Sequence, residues 1–258
     1  MIAGRRSIYK CQVAEAGALL ELSAANLRAL IGRDAELSEI SNRVLEMGGL
    51  VESQVAQAVY ALTNFSGETA SLVLEREQRV NQMEVEIDRD LSAIIARRQP
   101  TARDLRLLIA ISKTIGNLER IGDEATRIAR TVQRLMNSGV SSRLRLPVAD
   151  IAFGANLATA QLRKVLDAFA RLDVGRALEV LKQDDEIDKE FDGLLRKLIT
   201  YMMEDPRTIS SAIDLVFVAK AIERVGDHAK NLSEQIIYIV KGTDVRHHTV
   251  AAVEDAVR

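Results

Sequence analysis

The sequence predicts an all-α protein made of two tandem three-helix bundles, six helices in a pseudo-two-fold repeat, with an extra N-terminal segment. Of its 258 residues, 47% are hydrophobic, 28% are charged and only three are Pro, a composition that favours helices over strands. Apolar residues recur three or four positions apart over long stretches. The segment LERIGDEA at 118–125 returns as IERVGDHA at 222–229, which indicates a duplicated helical unit.

The predicted helices follow from this periodicity. They cover 36–65, 68–98 and 102–136 in the first half, and 148–170, 174–203 and 206–241 in the second. The Ser-, Gly- and Arg-rich stretch 137–147 ends in a Pro and separates the halves. We therefore expect an N-terminal extension at 1–35, partly helical, a first repeat at 36–138, a second at 148–241, and a C-terminal tail at 242–258 that is a short helix or frayed.

Polar residues at three places predict where helices begin and end. Asp173 is suited to cap the start of the fifth helix. Asp205 followed by Pro206 is a favoured start for the sixth. Gly242 is a candidate for its C-terminal cap.

The recurring segment carries a pair of carboxylates in each copy. Glu119 and Asp123 are four residues apart, as are Glu223 and Asp227. Side chains at this spacing lie on one face of a helix, with their Cβ atoms about 6 Å apart. Each copy thus presents two carboxylates together.

A second match adds a further pair to each repeat. EIDRDL at 86–91 resembles EIDKEF at 186–191, which aligns Glu84 and Asp88 with Asp184 and Asp188 at an offset of 100 residues. Glu84 and Asp184 each fall inside an apolar stripe. If the helices of each repeat pack antiparallel, two sets of four carboxylates form: the first-repeat carboxylates Glu84, Asp88, Glu119 and Asp123, and the second-repeat carboxylates Asp184, Asp188, Glu223 and Asp227.

Four carboxylates at a partly buried edge must be protonated, be paired with cations or bind metal. Ligands that are all carboxylates suit the hard cations Mg, Mn, Ca or Fe, and a zinc site of the His/Cys type is not expected. The simpler interpretation is a solvated acidic helix face, which would suffice for a single pair. Four pairs at corresponding positions favour a cation-binding or charged-interaction role.

Other conspicuous residues have simpler interpretations. Gly122 and Gly226 indicate close helix packing, and Gly48–Gly49 indicates the close approach of another backbone. His228, His247 and His248 are expected to be exposed. The arginines at 97–98 and 103–106 are interpreted as a solvated face or hairpin and not as a phosphate site.

Several functional classes are not expected. A net charge of −2 gives no reason to predict nucleic-acid binding, and the single Cys11 cannot form a disulfide framework. No apolar run approaches the roughly 18 residues needed to cross a bilayer, and the N-terminus makes a poor signal peptide. There is no glycine-rich phosphate loop, serine elbow or Cys/His pair in the helical regions, so no covalent catalytic centre is expected, and without a Glu-x-x-His motif neither is a ferritin-like di-iron oxidase.

Five segments stand out together: LEMGGLVESQVAQAV (45–59), EVEID (84–88), RRQPTARDLRLLIA (97–110), NLERIGDEATRIA (117–129) and AIERVGDHAKNLSE (221–234). They closely resemble the PhoU family, accessory and signalling proteins of phosphate-specific transport. With the tandem three-helix layout, the resemblance covers about 36–241. Residues 1–35 do not match the short lead-in usual in the family.

The resemblance implies a cytoplasmic, non-enzymatic regulator that is usually a homodimer and reaches the membrane only through its partners. Such proteins link a phosphate ABC transporter ATPase to a sensor histidine kinase, and they repress the phosphate-starvation response and restrain phosphate uptake. It also implies that the eight carboxylates can hold metal ions, with Fe, Mn, Mg or Zn as candidates. The alternatives are a metal-binding helical bundle that acts as a metal store or metal-dependent enzyme, and a purely structural helical dimer.

Overall fold

The computed structural model describes residues 9–11, 20–22, 24–137 and 147–257. Within these ranges seven α-helices follow one another: α1 (Ala24–Asn64), α2 (Gly67–Arg98), α3 (Ala102–Asn137), α4 (Val148–Arg171), α5 (Val174–Glu204), α6 (Ile209–Lys241) and α7 (Val250–Val257). A 3₁₀ turn, Pro206–Thr208, precedes α6. The prediction of an all-α fold with six long helices is confirmed, and α7 is the short helix expected in the tail.

The chain divides into two compact units, Met1–Asn42 and Arg43–Arg258. The first contains two three-residue strands, β1 (Tyr9–Cys11) and β2 (Leu20–Leu22), paired antiparallel with Tyr9 opposite Leu22. The sequence did not predict them, because three residues are too few to show a period of two. Helix α1 begins at Ala24, so part of the segment 1–35 is helical, as expected. The other residues of this segment lie outside the described ranges, and so does most of the predicted linker 137–147.

Helix ends in the second unit follow local capping chemistry. The Asp173 side chain accepts a hydrogen bond from the Arg176 backbone N–H and caps α5, as predicted. Asp205 caps the 3₁₀ turn, with Pro206 at its first position. Gly242 ends α6 with φ of 75°, a left-handed conformation that glycine adopts without steric cost.

Helices α3 and α6 lie at the centre of the second unit. Helix α2 packs on α3, α4 and α5 pack on α6, and α3 and α6 pack against each other. Both central helices bury long apolar stripes, which in α3 run from Leu108 to Leu135. The repeated segments, which belong to α3 and α6, therefore lie where the first repeat packs against the second.

The glycine pair of α1 contacts a side chain and not another backbone, so that detail of the prediction was wrong. A Cβ on buried Gly48 would lie 2.5 Å from Cδ2 of Leu166, on α4. The neighbouring Gly49 is exposed and has nothing within 4 Å of such an atom. Only one of the two glycines is therefore required by packing.

Candidate functional site

The second-repeat carboxylates lie together, on α5 and α6. Desolvation, followed by the charges of Glu223, Asp184 and Asp188, raises the pKa of Asp227 to about 6. Asp184 is 4% exposed, as expected for a residue inside the apolar stripe. Four acidic groups therefore share one partly desolvated region of the surface.

Two lysines act as counter-ions for this set. Nζ of Lys230 lies 2.5 Å from Oδ2 of Asp184, and Nζ of Lys220 lies 2.6 Å from Oε1 of Glu223. Burial would lower the pKa of Lys230, but its hydrogen bond to Asp184 and the charges of Asp184, Asp227 and Asp188 together outweigh burial and raise that pKa. The second-repeat carboxylates are thus partly neutralised by the chain itself.

The first-repeat carboxylates also lie close together, on α2 and α3. Burial, followed by the charges of Asp123, Glu84 and Glu77, raises the pKa of Glu119 to about 6. Burial and the nearby Asp88 raise the pKa of Glu84 as well, while Arg120 opposes the increase.

This first set has a different complement of counter-charges. Within the described chain, no basic group lies within 4.0 Å of Glu84, Glu119 or Asp123. At the offset of 104 that relates α3 to α6, the two lysines correspond to Gly116 and Thr126. The repeats therefore differ in how their acidic charge is balanced.

The predicted correspondence between α2 and α5 was wrong by seven residues, about two helical turns. Nε2 of Gln54 donates to the Val73 carbonyl, and Nε2 of Gln161 donates to the Val180 carbonyl; both members of the second pair lie 107 positions after those of the first. A Cβ on Gly122 would touch Val80 and one on Gly226 would touch Ile187, again 107 apart.

Asp184 therefore corresponds to Glu77 and not to Glu84. The match of EIDRDL with EIDKEF reflects residue type alone, whereas the helix register is fixed by the close packing at the two glycines. Glu84 is accordingly half-buried, and the buried acid of α2 is Glu77, at 8% exposure.

Glu77 belongs to a buried polar network that the sequence analysis missed. Its Oε2 accepts hydrogen bonds from Nε2 of Gln54 at 2.8 Å and from Oγ1 of Thr126 at 3.1 Å. Its Oε1 is buried without a hydrogen-bond donor. The signal was available, because Glu77 occupies an apolar-stripe position between Val73 and Val80.

His228 is half-buried, so the expectation that it is exposed was wrong. Its Nδ1 lies 3.0 Å from Oδ1 of Asn117, on α3. Burial, followed by the positive charges of Arg120 and Arg224, lowers the pKa of His228 to about 4. The sequence placed His228 away from the carboxylate face but could not show that α3 covers it. His247 and His248 are exposed, as predicted.

The glycines of the repeated segment contact neighbouring side chains, which confirms the packing interpretation. A Cβ on Gly226 would lie 3.0 Å from Cδ1 of Ile187, and one on Gly122 would lie 3.1 Å from Oε2 of Glu77. They allow the helices of each repeat to approach closely.

Carboxylates grouped in this way are chemically suited to a hard cation, since their oxygens are the ligands that Mg²⁺, Mn²⁺ and Ca²⁺ prefer. Oε2 of Glu223 and Oε1 of Glu77 are buried and accept no hydrogen bond from the described residues, so a cation could satisfy them. In the part of the chain that the structure describes, no three His, Cys, Asp or Glu side chains are already arranged as a set that could hold a metal ion. Among the same residues, no helix is long and apolar enough to span a membrane.

Comparison with known proteins gives consistent matches. The model of the PhoU domain matches residues 44–132 and again 154–236. The chain is 49% identical over 214 residues to the "phosphate-specific transport system accessory protein PhoU homolog" of Pseudomonas putida, covering 83% of this chain and 82% of that protein. It is 46% identical over 215 residues to the "phosphate-specific transport system accessory protein PhoU" of Escherichia coli K12, covering 83% and 87%.

Two solved structures are similar over the same region. The crystal structure of PhoU from Pseudomonas aeruginosa has a TM-score of 0.76 and 45% identity, covering 81% of this chain and 99% of that one. That of the phosphate transport system regulatory protein PhoU from Streptococcus pneumoniae has a TM-score of 0.76 and 26% identity, covering 83% and 99%.

Proposed function

The chain belongs to the PhoU family, and from this premise we propose that it is an accessory and regulatory protein of phosphate-specific transport. It couples the ATPase of a phosphate ABC transporter to a sensor histidine kinase, restrains phosphate uptake, and keeps the phosphate regulon repressed when phosphate is plentiful. It acts in the cytoplasm without catalysing a reaction, and it reaches the membrane only through these partners. The observation that carries this proposal is the family match over both repeats.

The two carboxylate sets are the surfaces through which it meets its partners. Each set gathers acidic groups on two adjacent helices, and clustered charge of one sign steers association with a partner of the opposite sign. The difference in lysine content makes the first-repeat set the more acidic surface. Two partners of different basicity are thereby suited to the two repeats.

Metal ions bind the same carboxylates in this proposal, with Fe, Mn, Mg or Zn as candidates. The ligands are Glu84, Asp88, Glu119 and Asp123 in the first repeat, and Asp184, Asp188, Glu223 and Asp227 in the second. A bound cation would offset the burial and the carboxylate repulsion that together raise the pKa of Glu119 and of Asp227. Occupancy changes the charge that each surface presents.

A homodimer is the proposed assembly, and a stripe on α6 supports it. Ile209, Ile213 and Phe217 are each four residues apart, so they lie on one helix face, and they are 41%, 45% and 54% exposed. Neighbouring exposed apolar side chains of this kind mark interaction surfaces. Replacing Ile213 by Glu is expected to yield monomers in light scattering, whereas an equally dimeric variant would remove this support.

The test of function is a phosphate-regulon reporter in a deletion strain, combined with affinity capture of the transporter ATPase and the kinase. The variant carries amide replacements, Glu→Gln and Asp→Asn, at all eight carboxylate positions. Wild type is expected to restore repression and capture both partners in a phosphate-dependent way, and the variant to do neither. A matched control neutralises exposed acids outside both sets, such as Glu75 and Glu190.

Two other outcomes would favour the alternatives. Oxidase or phosphatase turnover by iron- or manganese-loaded protein, abolished in Asp123→Ala and Asp227→Ala, would indicate a metal-dependent enzyme. Full repression by the eightfold variant, with unchanged or higher stability, would indicate a purely structural helical dimer. We expect neither result.

A further inference from the structure

Helices α3 and α6 are joined by a ladder of polar contacts that runs antiparallel. Oδ1 of Asn117 accepts from Nδ2 of Asn231 at 3.2 Å. Glu124, seven residues after Asn117 on α3, pairs at 2.9 Å with Arg224, seven residues before Asn231 on α6. Ten residues further along α3, Arg134 pairs at 3.2 Å with Asp214, which lies ten residues before Arg224. These three contacts define the antiparallel register in which α3 and α6 face each other.

The same ladder pairs Arg120 with His228. Each lies four residues from the Glu124–Arg224 pair, back along α3 and forward along α6. In the repeat, Arg120 corresponds to Arg224, and Glu124 corresponds to His228. One arginine of this quasi-symmetric arrangement therefore faces a carboxylate, whereas the other faces an imidazole.

Arg120 consequently lacks the counter-ion that its counterpart has. Within the described chain no carboxylate lies within 4.0 Å of its guanidinium, although Glu84 and Glu119 are near enough to feel its charge. Arg224 pairs with buried Glu124. The place beside Arg120 that a carboxylate would take by analogy is available to an anion.

This place opens on a cleft of about 960 Å³ that is bounded by α3, by α6 and by residues 246–249, which follow α6. Polar and basic side chains line it on both helices: Lys113, Asn117 and Arg120 on α3, and Arg224, His228 and Asn231 on α6. No Phe, Tyr or Trp is among its described lining residues, so a nucleobase would find no aromatic ring on which to stack. The cleft suits an anion whose charge is its main recognition feature.

Other charges in the cleft are largely paired. Lys230 binds Asp184, Arg246 binds Asp244, and both basic groups lie near Glu234, which also lines the cleft. Asp227, next to His228, lines it as well and opposes an anion, so the positive charge of the cleft must outweigh this carboxylate. Lys113 lies 5.9 Å from the centre of the Tyr238 ring and has no carboxylate within 4.0 Å in the described chain. Unpaired positive charge is therefore concentrated at Arg120 and Lys113, seven residues apart on one face of α3.

We propose that the α3–α6 cleft binds a phosphate-class oxyanion beside Arg120, in the place that corresponds to the Glu124 carboxylate. A planar guanidinium matches two oxygens of such an anion at once, which is the strongest form of charge-assisted hydrogen bond. Lys113, which lies seven residues before Arg120 on the same face of α3, supplies the second positive charge. The anion is orthophosphate itself or the phosphate chain of a nucleotide.

Calorimetric titration of the purified full chain, with chelators removing metal ions, tests this site. Orthophosphate and ATP are titrated separately. At least one is expected to bind to wild type with one site per chain, and Arg120→Gln is expected to weaken that binding by about tenfold or more, through loss of a bidentate charged contact. Arg130→Gln, on the same helix but outside the cleft, should bind as wild type does.

A second variant uses the ladder directly. His228→Glu supplies the carboxylate that Arg120 lacks, so the introduced side chain should occupy the site and abolish anion binding, while circular dichroism and thermal melting show an intact fold. Binding of orthophosphate assigns the site to free phosphate, and binding of ATP alone assigns it to a nucleotide. The proposal is overturned if neither anion binds to wild type, if Arg120→Gln binds equally well, or if His228→Glu retains binding. Because no partner protein is present, this result is independent of the proposed coupling of transporter and kinase.

Discussion

At the residue scale, partly buried acids of the two repeats are stabilised in different ways. Asp184 is buried, and the ammonium group of Lys230 lies 2.5 Å from it. Among the described residues, Glu119 is offset only by the more distant charge of Arg120, and its pKa is raised to about 6. Desolvation disfavours a carboxylate unless an opposite charge offsets it. The two positions should therefore respond oppositely to mutation.

Replacing Glu119 by Gln should stabilise the protein near neutral pH. Because the folded-state pKa of about 6 exceeds the ordinary 4.5, protonation of Glu119 favours folding; this contribution is fully present below pH 4.5 and is lost as pH rises through 6. The variant should gain about 1 kcal/mol after allowance for solvent screening, and its stability should vary less between these pH values. Urea unfolding across that range measures both effects, with Glu75→Gln as an exposed control on α2. Equal pH dependence in wild type and Glu119→Gln would contradict the prediction.

Replacing Lys230 by Met should have the opposite effect, because it leaves buried Asp184 without its ammonium partner. We expect a loss of about 2 kcal/mol, less than for a fully buried pair since the lysine is partly exposed. Lys197→Met is the matched control, because Lys197 pairs with Asp150 and both side chains are about half exposed. Its melting temperature should stay close to that of wild type. Similar losses in the two variants would show that burial of Asp184 is not the cause.

At the scale of the helix, close packing is concentrated at particular glycines. Gly48 faces Leu166 at the crossing of α1 and α4, whereas Gly49 faces solvent. The two therefore form a natural pair for separating packing from helix propensity. Adding one methyl group to each changes intrinsic helix propensity by the same amount.

Gly48→Ala should destabilise the protein by about 1 kcal/mol, since overpacking against Leu166 outweighs the gain in helix propensity. Gly49→Ala should instead stabilise it by up to about 1 kcal/mol, because nothing opposes that gain. Chemical denaturation of the two variants beside wild type gives the sign of each change. A stable Gly48→Ala would mean that the Leu166 side chain moves away at little cost.

Helix ends could be predicted from sequence where a single residue determines them. Asp173 and Gly242 act through their own hydrogen bond or backbone angle, so local chemistry sufficed. The register between α2 and α5 could not be read in the same way. It depends on which residues touch Gly122 and Gly226, and the similarity of EIDRDL to EIDKEF pointed two turns away.

The position of His228 illustrates the same limit for the site. Its own helix would leave it exposed, and only the packing of α3 against α6 brings Asn117 to it. Spacing by four was enough to predict that the two carboxylates of one helix share a face, whereas their approach to the acids of the neighbouring helix depends on packing. Glu77 was missed because its repeat counterpart, Asp184, had been aligned with Glu84.

At the scale of the whole molecule, the repeats share a fold but not a charge balance. The lysines at 220 and 230 compete with any cation for Asp184 and Glu223, whereas Gly116 and Thr126 offer no such competition in the first repeat. Cation affinity should therefore be greater for the first set. The acids that α2 and α5 contribute stand at different positions of the repeat, so the two sets differ in geometry as well as in charge balance.

Titration of metal-free protein with Mn²⁺ tests this difference. Amide replacement of the first-repeat carboxylates should remove most of the binding, and the same change in the second repeat should remove little. Removing both lysines, by Lys220→Met and Lys230→Met, should strengthen binding at the second set. Greater loss from the second-repeat variant would contradict the expected order.

The antiparallel ladder between α3 and α6 gives one chain the geometry of a two-fold dimer interface. Two identical subunits meeting in this way would place the same residue at both ends of the interface, two glutamates or two histidines. Fusion of the halves removes that restriction, and here one end carries Glu124 and the other His228. The cleft beside this interface is therefore asymmetric, because its surroundings differ between the two repeats. A ligand held at Arg120 binds once per chain and in one orientation, so its occupancy distinguishes the two halves of an otherwise repeated molecule.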